Sequence, residues 1–127
     1  LPRLKTDLLD LLLASSKGKL DQLKPPEWDN NFCMNIVIAS KGYPESYKKN
    51  TIINGLNKIT INKSHYIFHS STKKNEDHWL ATGGRVLSIS ALGSTLKEAR
   101  NKVYNVINKI DWKNGYFRKD IGWKHLT

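Results

Sequence analysis

The spacing of apolar residues changes abruptly near Gly93. Residues 85–92 alternate in the manner of a half-buried β-strand, with every second side chain apolar on one face. That face consists of Leu87, Ile89 and Ala91. Residues 95–110 then follow the 3.6-residue period of an amphipathic helix, which begins at a Thr-x-x-Glu capping box formed by Thr95 and Glu98. This succession predicts a helix packed across a sheet.

Several shorter strand patterns precede this unit. The run at 32–39 is β-branched and apolar and predicts a buried strand, while 51–53, 58–61 and 66–69 predict short strands. The polar stretch at 70–77 predicts a loop. Because the strands do not alternate regularly with helices, we expect an α+β fold: a mostly antiparallel sheet, a leading N-terminal helix and one amphipathic helix packed on the sheet.

The opening segment is rich in leucine and predicts a helix already under way at the first residues. Its apolar positions are Leu4, Leu8, Leu9, Leu11, Leu12 and Leu13. Pro2 fits only the first turn of such a helix, and Gly18 with the proline pair at 25–26 ends the pattern. The leucines exceed a single stripe, so we expect this helix to pack on more than one side. The abrupt beginning suggests a fragment of a longer chain.

The composition is strongly basic. The 127 residues include 21 Lys and Arg against 11 Asp and Glu, a net charge of +10. Only four of the cations are Arg, and the Lys residues are scattered in runs no longer than two. Twelve Asn accompany them, and a joint excess of Lys, Asn and Ile also follows from an AT-rich coding sequence. Charge alone therefore does not indicate nucleic-acid binding, although a basic RNA-binding module stays open as an alternative.

Cysteine and histidine usage excludes several kinds of site. Cys33 is the only cysteine, so neither an internal disulfide nor structural zinc can form, and a reducing cytoplasm is expected. Because Cys33 lies in an apolar run, we interpret it as a small core residue. His65 and His69 lie four apart in a strand region, where we favour structural roles over metal binding. The sequence contains no run of about 20 uncharged residues, so it predicts no membrane-spanning segment.

The sequence carries no motif for self-contained catalysis. It lacks a Gly-x-Ser-x-Gly elbow, a Walker-type phosphate loop and a helical histidine pair for metal. The adjacent carboxylates Glu76 and Asp77 lie in the polar stretch and are interpreted as solvated. We therefore predict no catalytic residue and no metal ligand within this chain.

Two loops carry groups that suit a phosphate. Gly83 and Gly84 precede Arg85, so the backbone can approach a ligand closely while the guanidinium offers a forked set of donors. The loop at 70–73 supplies hydroxyls and the ammonium of Lys73. The two loops would converge if their strands were hairpin neighbours. An ordinary Gly-Gly turn with a surface arginine explains the first loop equally well.

Five sequence blocks follow one another along the chain. They are Leu-Pro-Arg-Leu-Lys-Thr-Asp-Leu-Leu from Leu1, Ala-Ser-Lys-Gly-Tyr-Pro-x-x-Tyr from Ala39, Phe-His-Ser-Ser-Thr-Lys from Phe68, Gly-Gly-Arg-Val-Leu-x-x-x-Ala-Leu-Gly from Gly83, and Phe-Arg-Lys-Asp-Ile-Gly-Trp from Phe117. In order and spacing they resemble the C-terminal domain of the phosphoribosylamine-glycine ligases, or glycinamide ribonucleotide synthetases, which are ATP-grasp enzymes. The resemblance covers almost the whole chain.

This resemblance implies a part of a larger enzyme. The family joins glycine to 5-phosphoribosylamine with ATP in purine biosynthesis, and binds ATP and Mg²⁺ (or Mn²⁺) mainly upstream of the present segment. It implies that residues 1–24 form a helix linking to the ATP-grasp region and that residues 25–127 form the C-terminal domain. The implied partners are the N-terminal and ATP-grasp domains of the same polypeptide and the small-molecule substrate 5-phosphoribosylamine, with no nucleic acid, no membrane and a cytoplasmic location.

The resemblance also assigns roles by block position. In the related ATP-dependent formyltransferase of the same pathway, a lysine and an arginine of this domain hold a ribose phosphate, and they correspond to Lys73 and Arg85. We therefore expect these two side chains to bind the 5-phosphate of phosphoribosylamine, with Thr72 and the amides of Gly83 and Gly84 as neighbours.

Other expectations are less specific. Arg3 and Lys5 either face the active site of the full enzyme or belong to a basic face of the leading helix. The family usually has His-Ala-Gly-Thr where this chain has His-Ser-Ser-Thr at 69–72, and a Thr where this chain has Ala81. Because residue 71 is not glycine in this chain, any role for an unsubstituted glycine backbone at that position is in doubt. The departures do not change Arg85.

Two further pairs of residues are expected to hold loops in place. Tyr43 and Pro44 would shape the loop after the first strand, and Asp120 and Trp123 would anchor the tail. Besides the RNA-binding alternative, a non-catalytic scaffolding domain that only resembles the ligase also stays open.

Overall fold

The computed structural model describes residues 1–60, 62 and 64–126. The helices are α1 (Leu8–Ser16) and α2 (Leu96–Ile107), and the strands are β1 (Phe32–Ser40), β2 (Thr51–Ile53), β3 (His65–His69), β4 (Thr72–Asn75), β5 (His78–Ala81), β6 (Arg85–Gly93) and β7 (Gly115–Tyr116). The strands pair antiparallel in two sheets, which confirms the predicted α+β class.

The larger sheet has the strand order β3-β6-β1-β7, and the smaller one has the order β2-β5-β4. Strand β6 lies between β1 and β3, and α2 packs across one face of the larger sheet, as its apolar stripe predicts. The core between them is apolar, and its main members are Met34, Ile36, Ile38, Leu87, Ile89, Ala91, Ala99, Val103, Val106 and Ile107. Burial of these side chains supplies most of the driving force for folding.

The predicted capping box at the start of α2 is confirmed. Thr95 Oγ1 accepts a hydrogen bond from the Glu98 amide at 3.1 Å. The Glu98 carboxylate reaches back to the residue before the cap and accepts bonds from the amide and the hydroxyl of Ser94, each at 2.7 Å. It also forms an ion pair with Lys102 at 2.7 Å. These contacts satisfy amide donors that the first helical turn leaves free.

Helix α2 ends at Ile107, three residues before the predicted end. The next residues form a tight turn in which the Ile110 amide donates to the Ile107 carbonyl oxygen at 2.9 Å. Asn54 and Asp111 then exchange two backbone hydrogen bonds, at 2.9 and 3.0 Å. This pairing draws the chain away from the helix axis. The helix therefore ends before the apolar pattern of the sequence does.

The prediction of a helix from the first residues was wrong. Helix α1 begins only at Leu8, because the Asp7 carboxylate caps it by accepting a bond from the Leu9 amide at 2.7 Å. The preceding residues begin with a turn, in which the Leu4 amide donates to the Leu1 carbonyl oxygen at 2.8 Å, and Leu4 forms a β-bridge with Trp28. The expected excess of apolar surface is confirmed, because only Ala14 is buried along α1.

Two loop and strand assignments were also wrong. The predicted strand at 58–61 is replaced by a 3₁₀ turn at Leu56–Lys58, because Gly55 adopts a positive φ of 84° and starts a turn; Ile61 lies outside the described residues. The predicted loop at 70–77 contains β4, which forms a hairpin with β5. Strand β4 is an edge strand, where polar side chains are tolerated because one side faces solvent.

Strand β1 is buried on one face only, contrary to the prediction. Asn35 and Val37 are exposed on the face turned away from α2. Cys33 lies half-buried on this same side and is not a core residue, because alternation along β1 puts its side chain on the face opposite to Met34 and Ile36. Partial burial raises the pKa of its thiol, so the thiolate is disfavoured. We call this side of the larger sheet the outer face.

Candidate functional site

A β-bulge at the start of β6 decides where Arg85 lies. Ile38 of β1 pairs with Leu87, but the next residue, Ala39, pairs with Arg85, so that Val86 is an extra residue. Strict alternation would have put Arg85 on the same face as Leu87, under α2. The bulge places it beside Ala39 on the outer face, where its side chain is exposed.

The two predicted phosphate loops converge at this end of β6, as expected for neighbouring strands. The Ser70 amide donates to the Val86 carbonyl oxygen at 3.0 Å, and the Thr82 amide donates to the Ser71 carbonyl oxygen at 2.9 Å. A cavity of about 440 Å³, which we call the polar pocket, lies between the loops. Its lining consists of Val37, Tyr43, Ser70, Ser71, Gly84, Arg85 and Ser88.

The polar pocket combines one cation with several hydroxyl groups. Arg85 lies near Ser70, Ser71 and Ser88, all of which line the same cavity. Among the residues that the structure describes, no carboxylate forms an ion pair with Arg85. The guanidinium is therefore available to an anion, and hydroxyls around it supply further donors for phosphate oxygens.

The two glycines before Arg85 have a packing reason of their own. A Cβ atom on Gly84 would overlap the ring of Tyr43, and one on Gly83 would lie 2.6 Å from the side chain of Ser71. The carbonyl oxygens of both glycines accept hydrogen bonds from buried Ser40, each at 2.7 Å. The Gly-Gly turn thus fixes the loop of Tyr43 against β6. Contact of the glycine amides with a phosphate stays a prediction.

Lys73 and Thr72 do not line the polar pocket. Lys73 belongs to the smaller sheet, opposite Leu80, and its side chain is exposed. The Thr72 hydroxyl lies 2.8 Å from His69 Nδ1, and the His69 ring packs on Trp79 at a centroid distance of 4.2 Å. Partial burial lowers the pKa of His69. The structure therefore groups Arg85 with serines, and the phosphate role of Lys73 and Thr72 stays a prediction.

Arg3 and Lys5 lie on either side of Leu4 in the non-helical segment before α1. Arg3 Nε donates to the Asp29 carbonyl oxygen at 3.0 Å, and the Lys5 amide donates to the Glu27 carbonyl oxygen at 2.9 Å. Neither residue lines the polar pocket. They are not on a helix, so the alternative of a basic helix face is wrong, while a role toward the active site of a larger enzyme stays a prediction.

The tail is not anchored by Asp120 and Trp123. Asp120 accepts two hydrogen bonds from the guanidinium of Arg118, at 2.9 and 2.6 Å, and Arg118 lowers its pKa. The Trp123 ring is 57% exposed. Arg100 of α2 holds the tail instead, by donating to the carbonyl oxygens of Ile121 and Lys119 at 3.2 and 2.5 Å.

A larger cavity of about 500 Å³ lies between α2 and this tail. Its cation, Arg100, is already engaged with tail carbonyls and packs over the Tyr104 ring at 4.6 Å. The Tyr104 hydroxyl donates to the Arg118 carbonyl oxygen at 2.8 Å. These groups stabilise the tail, so the polar pocket is the better candidate for an anion despite its smaller volume.

Sequence reasoning missed Ser88, Tyr43 and the exposure of Val37 at this site. Ser88 could have been found, because it is the polar member of the alternating strand closest to Arg85. Tyr43 could not, because its contact with Gly84 joins residues 41 positions apart through the pairing of β1 with β6.

Within the described residues, no group of three or more His, Cys, Asp or Glu side chains could hold a metal ion. No helix among them has the length and apolar character to cross a membrane.

Comparison with known proteins agrees with the family resemblance of the five sequence blocks. Residues 33–124 match the family model of the phosphoribosylglycinamide synthetase C domain. This chain belongs to that family. The stand-alone RNA-binding and scaffolding alternatives are therefore not favoured.

Individual relatives of this C domain lead to the same conclusion. The chain is 40% identical to a phosphoribosylamine-glycine ligase of Agrobacterium fabrum over 98% of its own length and 29% of that protein. It is 41% identical to the chloroplastic ligase of Arabidopsis thaliana over 98% of its own length and 24% of that protein. The chain thus spans less than a third of the curated relatives it matches.

A solved structure shares the fold. The crystal structure of phosphoribosylamine-glycine ligase from Thermotoga maritima superimposes with a TM-score of 0.70 and 27% identity. The match covers 88% of this chain and 26% of that one. The two antiparallel sheets and the helix across the larger sheet are therefore those of a ligase C domain.

Proposed function

We propose that this chain is the C-terminal part of a phosphoribosylamine-glycine ligase and that its polar pocket binds the 5-phosphate of phosphoribosylamine. The observation that carries the proposal is the bulge at Val86, which delivers an unpaired Arg85 into a pocket of serine hydroxyls. A bulge that re-aims one side chain at the end of a strand is typical of functional sites. The family membership supplies the class of ligand.

In the complete enzyme the reaction would proceed by activation of glycine. ATP would convert the carboxylate of glycine to an acyl phosphate, which the amine nitrogen of phosphoribosylamine then attacks. ATP and Mg²⁺ would be bound mainly by the preceding domains, since the described residues offer no metal cluster. The present chain would supply no acid or base. Its contribution would be to hold the amine substrate in place through charge complementarity.

Within the pocket, Arg85 would be the principal phosphate ligand. Its planar guanidinium can donate two parallel hydrogen bonds to one phosphate. The hydroxyls of Ser70, Ser71 and Ser88 line the pocket and would donate to the remaining oxygens. Lys73, together with Thr72 and the amides of Gly83 and Gly84, would add a weaker contribution from the rim.

The partners of the chain are part of the same proposal. Leu9 and Leu12 of α1 are 69% and 59% exposed. This exposed apolar surface on α1 fits contact with the N-terminal and ATP-grasp domains of the same polypeptide. Residues 1–24 would form the connection and residues 25–127 the C-terminal domain. A cytoplasmic location would suit the single unpaired cysteine.

Steady-state kinetics of the full-length ligase test the proposal. Arg85→Ala should raise the KM for phosphoribosylamine about ten- to a hundredfold, the usual loss for a hydrogen bond to a charged group, while the KM values for glycine and ATP stay nearly unchanged. Lys97→Ala is the control, because it removes an exposed cation on α2 at the covered side of the sheet. An unchanged KM for phosphoribosylamine in Arg85→Ala would rule the proposal out.

A further inference from the structure

The ring of Tyr43 lies directly against the backbone of Gly84, in the space that a Cβ atom would need. Its loop is held to β6 through Ser40, whose amide donates to the Gly84 carbonyl oxygen at 2.7 Å. The Tyr43 amide in turn donates to the Ser40 carbonyl oxygen at 3.0 Å. The ring also packs edge-on against Tyr47, with 6.0 Å between centroids. These contacts place the Tyr43 ring, which is 42% exposed, next to Arg85.

A second cavity is also lined by Tyr43. It has a volume of about 290 Å³, and we call it the apolar cleft. Its apolar walls are Ile36, Val37, Ala39, Tyr116, Phe117 and Ile121. Arg118 also contacts it, but the guanidinium of Arg118 is engaged by Asp120 at 2.6 Å. Most of the cleft wall therefore suits an apolar group, and the cleft is also lined by Arg85.

Tyr43, Arg85 and Val37 line both cavities. The Tyr43 ring is thus a wall both of the polar pocket with its serines and of the apolar cleft. The substrate of the proposed function, a sugar phosphate, has no group that would gain from entering an apolar cleft. A phosphate ester that carries an aromatic ring would gain from it, because burial of a ring is favourable.

Resting on the proposed function, we infer that Tyr43 is a specificity-determining residue that separates the polar pocket from the apolar cleft. Its ring restricts the ligands of Arg85 to small hydrophilic phosphates by closing the path to the cleft. Removal of the ring joins two cavities of about 440 and 290 Å³. Arg85 then accepts phosphates that bear a flat apolar group.

The test uses the full-length ligase and two probes, inorganic phosphate and phenyl phosphate, with dissociation constants measured by calorimetry. In the wild type, phenyl phosphate should bind no more tightly than inorganic phosphate. In Tyr43→Ala, phenyl phosphate should gain about tenfold relative to inorganic phosphate, which corresponds to partial burial of one ring. Tyr43→Phe, which keeps the ring, should stay nearer the wild-type ratio than Tyr43→Ala does.

Two further variants make the result unambiguous. Tyr43→Leu retains part of the bulk, should give an intermediate ratio, and serves if Tyr43→Ala does not fold. Phe32→Ala removes an exposed ring at the far end of β1, outside both cavities, and should keep the wild-type ratio. An unchanged ratio in both Tyr43→Ala and Tyr43→Leu would overturn the inference.

Arg85→Ala distinguishes failure of this inference from failure of the proposed function. If inorganic phosphate binds Arg85→Ala as tightly as it binds the wild type, the phosphate site itself is misplaced and both proposals fall. If Arg85→Ala loses phosphate binding while the Tyr43 variants keep the wild-type ratio, only the role of Tyr43 is wrong.

Discussion

Arg85 pairs with Ala39 across β6 and β1, and this pairing puts the guanidinium on the outer face of the sheet. Ala39 is small and half-buried, so it leaves room beside Arg85 for a ligand. A guanidinium can bind a phosphate both through its charge and through its two parallel N–H donors. Substitution of Arg85 separates these two contributions.

We predict that Arg85→Lys recovers only part of the phosphoribosylamine affinity lost in Arg85→Ala. An ammonium keeps the charge but cannot donate two parallel hydrogen bonds to one phosphate. The KM for phosphoribosylamine in the full-length ligase should therefore lie between those of the wild type and of Arg85→Ala. Full recovery in Arg85→Lys would show that charge alone matters and that the fork is not used.

Lys73→Ala should weaken phosphoribosylamine binding less than Arg85→Ala does. Lys73 is exposed on β4 and lies outside the lining of the polar pocket, so its ammonium would act from the rim and through solvent. The double variant should cost less than the sum of the two single variants if both cations contact one phosphate. Strict additivity, or no effect of Lys73→Ala, would exclude Lys73 from the site.

Residues with a regular period could be placed from the sequence. The capping box at Thr95 and the apolar stripe of α2 depend on neighbours within one or two turns, so local spacing was enough to predict them. The alternation of β6 likewise predicted which side chains meet α2.

Features that depend on distant pairing could not be placed. The bridge between Leu4 and Trp28 holds residues before the Asp7 cap outside the helix, and local spacing does not show that bridge. The bulge at Val86 changes the face of Arg85, yet nothing in the residues around Val86 marks it. The two loops of the site could be identified by composition, but their relation to Tyr43 required the fold.

Gly84→Ala should destabilise the domain by about 1–3 kcal/mol, because its Cβ would overlap the Tyr43 ring and overpacking costs about this much. Urea denaturation of the chain measures the effect. Tyr43→Ala removes the overlapping ring, so the double variant should be less destabilised than the sum of the single variants predicts. Simple additivity would mean that Gly84 is needed for another reason.

Leu12→Glu should leave the free energy of unfolding of this chain within about 0.5 kcal/mol of the wild type, because exposed positions contribute little to stability. In the full-length ligase the same change should lower the melting temperature, since it would put a charge into the proposed contact with the preceding domains. Ile89→Ala is the comparison, because Ile89 is fully buried and should cost about 2–5 kcal/mol in either context. Equal melting temperatures of wild-type and Leu12→Glu ligase would argue against docking through this face of α1.

The stability of the domain should fall on acidification in a way that depends on Glu98. Lys102 and Ser94 lower the pKa of its carboxyl from 4.5 to about 2 in the folded chain. A depressed folded-state pKa means that the unfolded chain binds more protons in this range, so the stabilisation is complete above about pH 5 and is lost as the pH falls toward 2. Asp29 and Asp120 also have lowered pKa values and act in the same direction, so the informative quantity is the difference in stability between the wild type and Glu98→Gln.

Glu98→Gln should be less stable than the wild type at pH 7, and this gap in the free energy of unfolding should narrow as the pH falls from 5 to about 2. Urea denaturation at several pH values measures this gap, and a gap that does not change with pH would show that the Glu98 carboxylate is not stabilised by these contacts.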